Sequence, residues 1–180
     1  MRSRFLLILF SLLISGGVGT GCGVEAHPSR GCRQGQTPFS VLRQSQAPDF
    51  SLPLAAPQTA SITLSELNRE HPVLLVFWAT WCPACIEEIP TLNAWHRQFS
   101  SEGLKILGIN VQEPRQQVLK FIREDHAMDY PIALDEEGKT ADQFGLVGLP
   151  SAVFLAKGGK ILYYGFSLPP NMEQLLSRIR

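Results

Sequence analysis

The feature that most constrains the fold is a buried strand that runs straight into a helix. Val73-Leu-Leu-Val-Phe77 is a continuous apolar, β-rich run, which suits a central strand covered on both faces. From Cys85 to Phe99 the apolar residues Ile86, Ile89, Leu92, Trp95 and Phe99 recur at three- or four-residue steps, the period of a helix. Pro90 lies inside that helix and should kink it. The few residues between strand and helix are Trp81-Cys82-Pro83-Ala84-Cys85.

The rest of the chain repeats the alternation. Order should begin at Ala47-Pro48-Asp49-Phe50. Phe50–Leu52 and Ile62–Leu64 alternate like two short strands, and Ser65–Asn68 reads as one helical turn capped by Ser65. Lys105–Val111 is a second buried strand. Pro114 can start a helix whose apolar face is Val118, Phe121 and Ile122. Tyr130–Leu134 is a short strand, and Glu136–Phe144 a short helix ended by Gly145. Ser151–Leu155 and Lys160–Tyr164 flank the turn Lys157-Gly158-Gly159, and Met172–Ile179 closes the chain as a helix. Strands alternating with helices, then a hairpin and a helix, predict an α/β layer sandwich with a central mixed sheet flanked by helices. With 180 residues, 44% of them hydrophobic, the chain can bury one real core.

The N-terminus is a targeting segment. Arg2 and Arg4 precede an apolar run from Phe5 to Ile14, and small residues follow. Three fates compete. Cys22 after Gly19-Thr20-Gly21 resembles a bacterial lipobox, which makes Cys22 a lipidation candidate. An uncleaved signal anchor is the second, since Phe5 to Val24 carries no charge. Secretion after cleavage behind Ala26 is the third. All three put the domain outside the cytoplasm, on the periplasmic side of a bacterial membrane or free. Residues 1–22 are read as signal or anchor, 23–46 as a flexible linker and 47–180 as the domain. Cys32, in the linker, is assigned no catalytic role. Sixteen Lys+Arg balance sixteen Asp+Glu, and no basic stripe stands out, which argues against nucleic acid as a partner.

The chemistry centres on Cys82 and Cys85. After a buried strand, Cys82 sits at a helix N-terminus, where unpaired N–H groups and the helix dipole stabilise a thiolate. Cys82 is therefore expected to be the exposed, low-pKa thiol and Cys85 the buried one. Pro83 has no N–H to lose and fits the first turn. Cys85, three residues on, is close enough to form a disulfide with Cys82. A structural disulfide usually joins distant segments, and this loop constrains almost nothing. Half a zinc site would need a second ligand pair, whereas His27, His71, His96 and His126 are isolated, so no metal is expected. The pair reads as a redox couple without any other cofactor. Gly148-Leu149-Pro150 directly precedes a strand, where a proline marks an edge, a bend or a cis bond.

Phe77-Trp78-Ala79-Thr80-Trp81-Cys82-Pro83-Ala84-Cys85, Pro90 and Gly148-Leu149-Pro150 together resemble the thioredoxin superfamily. More narrowly they resemble its extracytoplasmic, membrane-tethered branch, the TlpA, ResA and CcmG proteins of cytochrome c maturation. The resemblance runs from about Ala47 to the C-terminus. It implies a thioredoxin-like fold with an extra N-terminal β-hairpin and a central insertion between Val111 and Leu134. It makes Cys82 the nucleophile, Cys85 the resolving thiol and Pro150 a cis-proline beside the disulfide. Trp81, Pro83, Leu149 and Pro150 would shape the substrate groove. Gly108-Ile109-Asn110-Val111-Gln112-Glu113 resembles the stretch that supplies an acid near the cysteines. Glu113 is the matching position and would then raise thiol pKa values and relay a proton; the alternative is an ordinary solvated acid at a strand–helix junction.

The implied partners are disulfide-containing or dithiol exported proteins, apocytochrome c among them, and a membrane thiol electron donor. Two other chemistries compete. A Cu(I) carrier could use two soft thiolates, but copper-carrying relatives have a CxxxC and a distal histidine. A thiol peroxidase places Thr three residues before its reactive Cys, where Ala79 stands here.

Overall fold

The computed structural model describes residues 46–124 and 126–179. The signal segment, the linker up to residue 45, Cys22 and Cys32 lie outside the described residues. The strands are β1 (Ser51–Pro53), β2 (Ser61–Thr63), β3 (Val73–Trp78), β4 (Lys105–Val111), β5 (Ile132–Asp135), β6 (Ser151–Leu155) and β7 (Ile161–Gly165). The helices are α1 (Leu64–Glu70), α2 (Pro83–Phe99), α3 (Arg115–Arg123), α4 (Lys139–Gln143) and α5 (Met172–Ser177).

Five strands form a mixed sheet in the order β5-β4-β3-β6-β7. β3 pairs in parallel with β4, as β4 does with β5, whereas β6 runs antiparallel to both β3 and β7. β1 and β2 make a separate antiparallel hairpin. This is the thioredoxin-like layer sandwich with the extra hairpin. The hairpin docks on the edge strand β5, where the Ala55 N–H donates to the Ile132 carbonyl at 2.7 Å and Leu54 bridges Ala133. The expected insertion holds α3 and the start of β5.

The continuous apolar character of β3 follows from burial on both sides. Leu74, Val76 and Trp78 enter the core shared with Leu92 and Phe99 of α2, Val118 of α3 and Met172 and Leu176 of α5. Val73, Leu75 and Phe77 enter the opposite core with Leu64 of α1, Phe144 and Tyr164. Strands lined this way on both faces need no polar alternation. α2 continues through Pro90 as one helix of 17 residues.

Three local expectations change. α1 begins at Leu64, so Ser65 is inside the helix and not its cap. The helix end is held instead by Asp49, whose Oδ1 accepts the Ser65 N–H at 2.8 Å. Hydrogen bonds from the Ser65 side chain, and then from the Ser65 and Phe50 backbone, hold the Asp49 carboxyl below its ordinary value, against a raising effect of burial. α4 is shorter than Glu136–Phe144, because Gly138 turns the chain at φ 74° before the helix can start. Lys157–Gly159 forms a 3₁₀ turn, with Gly158 and Gly159 at positive φ.

The register decides where chemistry can occur. Trp78 pairs with Asn110, and Phe77 with Ser151. The segments after β3, β4 and β5 and the segment before β6 therefore meet at one end of the sheet. The carboxyl ends of parallel strands are where ligands of α/β sheets commonly bind.

Candidate redox site

Cys82 and Cys85 form a disulfide with Cα atoms 5.3 Å apart. Cys82 is the N-cap of α2, with extended φ −97° and ψ 101°, and Pro83 opens the helix. The Cys82 Sγ accepts the Cys85 N–H at 3.3 Å, and its carbonyl accepts the Ile86 N–H at 3.2 Å. The sulfur thus takes the place a serine or aspartate oxygen fills at other helix starts. A thiolate there gains the same donor and the positive end of the helix.

Exposure does not separate the two cysteines. Cys82 is 4% exposed and Cys85 3%, so the expected open Cys82 is not found in the disulfide form. Both sulfurs join the core cluster under α2. Reactivity must then differ through the electrostatics of the helix end. At limiting iodoacetamide the reduced protein is expected to be labelled first at Cys82, read by peptide mass spectrometry.

The other groove candidates differ in exposure. Trp81 is 68% exposed and, with Leu149, lines a cavity of about 210 Å³. Pro83 is exposed at the helix start, outside that lining. Pro150 is buried and joined to Leu149 by a cis peptide bond. Its neighbour Ser151 pairs with Phe77, which places Pro150 at the disulfide end of the sheet. A second cis bond, Ala56–Pro57, lies in the β1–β2 loop. Trp78 is a packing residue, 3% exposed and 5.5 Å from the Phe121 ring centre.

Glu113 is not an ordinary solvated acid. It is 4% exposed. Its Oε2 accepts the Thr80 N–H and Asn110 Nδ2, both at 2.7 Å. Its Oε1 accepts the Thr80 hydroxyl at 2.5 Å and the Gln117 side-chain amide. The side chain is buried because it satisfies the turn after β3, which would otherwise leave a backbone donor unpaired. It grips the residue two before Cys82, so it positions the cysteine loop.

Sequence reasoning gave no role to Glu88, three residues after Cys85 on α2. Its Oε1 accepts the Leu168 N–H at 3.1 Å, while Oε2 is buried with no partner among the described residues. Burial pushes its carboxyl above the ordinary 4.5, partly opposed by the Leu168 hydrogen bond. Burial, and then the charges of Glu88 and Asp129, push the Tyr130 hydroxyl up as well. The available signal was an acid set between Ile86 and Ile89 in the apolar stripe of α2.

A raised carboxyl pKa has a definite sign. The folded state holds the Glu88 proton more tightly than the unfolded chain. That stability is complete below the ordinary 4.5 and is lost as pH rises through the higher folded value. Glu88→Gln should remove the decline. Urea unfolding at several pH values above 4.5 is expected to show the variant gaining on the parent as pH rises.

No group of three or more His, Cys, Asp or Glu among the described residues could hold a metal ion. Nor is any described helix long and apolar enough to cross a membrane. The pattern of the AhpC/TSA family matches residues 44–164.

The chain belongs to the AhpC/TSA family.

Within it, the chain is 33% identical to the thiol-disulfide oxidoreductase ResA of Geobacillus thermodenitrificans, over 78% of this chain and 80% of that one. A thiol-disulfide oxidoreductase from Bacteroides fragilis has a similar structure, with TM-score 0.64 and 26% identity, covering 76% of this chain and 100% of that one. The peroxidoxin BcpB of Mycobacterium tuberculosis is also similar, with TM-score 0.62 and 26% identity over 77% and 96% of the chains. This AhpC/TSA member has the thioredoxin fold and is a thiol–disulfide oxidoreductase of the ResA type.

Proposed function

We propose that this protein is an extracytoplasmic reductant of disulfides in exported proteins, apocytochrome c or similar, acting through Cys82 and Cys85. The observation that carries this reading is the Cys82–Cys85 disulfide at the start of α2, with the Cys85 N–H on the Cys82 sulfur. In the reduced protein the Cys82 thiolate attacks one sulfur of a substrate disulfide. A mixed disulfide forms and one substrate thiolate leaves. Cys85 then gives up its proton and attacks Cys82, which releases the second substrate thiol. Two electrons pass from the protein dithiol to the substrate, and a membrane thiol donor returns them.

The two acids divide the supporting work. Glu113 holds the Thr80 turn, and through it Cys82. Glu88 lies one turn beyond Cys85 on α2 with its Oε2 buried and unpartnered among the described residues, and we assign it the taking and releasing of a proton while the thiols ionise. The N-terminal segment would tether the domain through acylated Cys22 or an uncleaved anchor. Cleavage behind Ala26 would free it.

Cys85→Ala in the native host tests the whole reading, because it should arrest the reaction at the mixed disulfide. Exported cysteine proteins are expected in the trapped complexes, with Cys82 as the attached residue. A trap empty of exported proteins would sink the proposal. Intact-mass analysis of the same material reads the tether: an acylated N-terminal Cys22 supports the lipoprotein, whereas an unmodified His27 or intact Met1 selects another fate. Peroxide consumption with a thiol donor would instead favour a thiol peroxidase.

A further inference from the structure

The cavity lined by Trp81, the residue before Cys82, and by Leu149, the residue before Pro150, is built from two kinds of surface. Trp81, Leu146 and Leu149 give it apolar walls, and Gln112 and Asp142 give it a polar end. Among the described residues, no basic side chain lines it. Asp142 is exposed on α4 and makes no ion pair among the described residues. Lys139, one turn earlier on the same helix, is engaged with Glu137. The cavity therefore offers an uncompensated carboxylate at the end of an apolar slot.

The polar end is held there at a cost. Gln112 has φ 58°, a left-handed conformation that side chains with a Cβ rarely adopt. Such a conformation is strained and persists only where its surroundings impose it, most often at functional sites. The surroundings are visible. The Gln112 N–H donates to the Asp135 carbonyl at 2.9 Å, and the next residue is the buried Glu113. Gly138 provides the room, since a Cβ added there would lie 2.8 Å from Gln112 Nε2. Asp135 fixes the facing helix by accepting the Thr140 and Ala141 N–H groups at 3.2 and 2.8 Å.

We propose that this cavity is a side-chain subsite for a lysine or arginine flanking the reactive cysteine of the substrate polypeptide, with Asp142 reading the charge. The inference rests on the Cys82–Cys85 pair being the reacting couple. A long cationic side chain lays its methylenes on apolar surface and keeps its charge at a polar end. The exposed Trp81 ring adds an aromatic face for the cation. An acidic side chain in the same slot would meet Asp142 with no cation to offset it.

The test uses the reduced full chain and peptides carrying one disulfide, identical except for lysine, norleucine or glutamate beside the cysteine. Hydroxyethyl disulfide, small and uncharged, reports the reaction of the pair alone. The lysine peptide is expected to be reduced about threefold to fivefold faster than the glutamate peptide at low salt, the range of an exposed ion pair. That ratio should fall toward one in Asp142→Asn and in about 1 M salt. Equal rates in the parent protein, or a ratio that survives Asp142→Asn, would overturn the subsite while leaving the couple standing. Failure to reduce hydroxyethyl disulfide as well would overturn the couple, and the subsite with it.

Discussion

Glu113→Ala is expected to lower the unfolding free energy by about 2–4 kcal/mol. The substitution removes a buried acceptor that takes the Thr80 N–H and Asn110 Nδ2, each at 2.7 Å. A buried donor left without its partner costs about 1–3 kcal/mol. Two are lost here, and the Thr80 hydroxyl and Gln117 amide can turn elsewhere. For a domain of this size the loss corresponds to a fall in Tm on the order of 10 °C. Glu113→Gln keeps the volume but points an amide at donors, so it should cost about half as much.

The same substitutions separate positioning from charge. Loosening Thr80 moves the N-cap at Cys82, so thiol–disulfide exchange should slow in both variants. A charge effect would move the thiol titration in both, because each removes the carboxylate. A positioning effect makes the alanine variant the slower of the two, since glutamine still offers one acceptor to Thr80. The expected outcome is this ordering of rates, followed by stopped-flow reduction of a small disulfide. Ultraviolet titration of thiolate, run on both, reads the electrostatic part.

Glu113 also shows what a sequence withholds. An acid after Val111 and before Pro114 looks solvated, because nothing in the string says that the turn after β3 lacks a partner for the Thr80 N–H. That requirement exists only once β3 and β4 lie side by side. Asp49 and Ser65 repeat the lesson, for the atom that holds α1 lies 16 residues upstream. Glu88 was hidden for a related reason. An acid on the apolar stripe of α2 hints at burial, but the Leu168 N–H that it accepts lies 80 residues away in the chain. Gln112 carries no turn signature at all, unlike a glycine or asparagine, so its positive φ was illegible. By contrast, the strand segments Val73–Phe77, Lys105–Val111 and Ser151–Leu155 were legible because two-sided burial leaves apolar residues on both faces, as in Val73–Phe77, Ile106–Ile109 and Ala152–Leu155. The Cys82 and Cys85 pair was legible for a similar reason: its chemistry depends on the local step from strand to helix.

Gly108→Ala should cost about 1–3 kcal/mol, and it tests whether Trp78 is packing or groove. Gly108 sits within β4, opposite Val76 of β3 and Ile132 of β5. A Cβ there would lie 2.6 Å from Ile132 Cδ1, 3.1 Å from Tyr130 Cε2 and 3.3 Å from Trp78 Nε1. Overpacking of this kind forces side chains off their rotamers, which sets the expected cost. The flexible Ile132 methyl can yield, but the tyrosine and indole rings have less freedom. Trp78 is the last residue of β3, and the cysteine turn begins beyond it. If its burial serves only packing, Gly108→Ala lowers Tm while peptide disulfides and a small disulfide lose rate in equal proportion. A selective loss with peptide substrates would give Trp78 a part in the groove and overturn the packing assignment. Urea unfolding and parallel exchange assays on the two substrate sizes read both quantities from one variant.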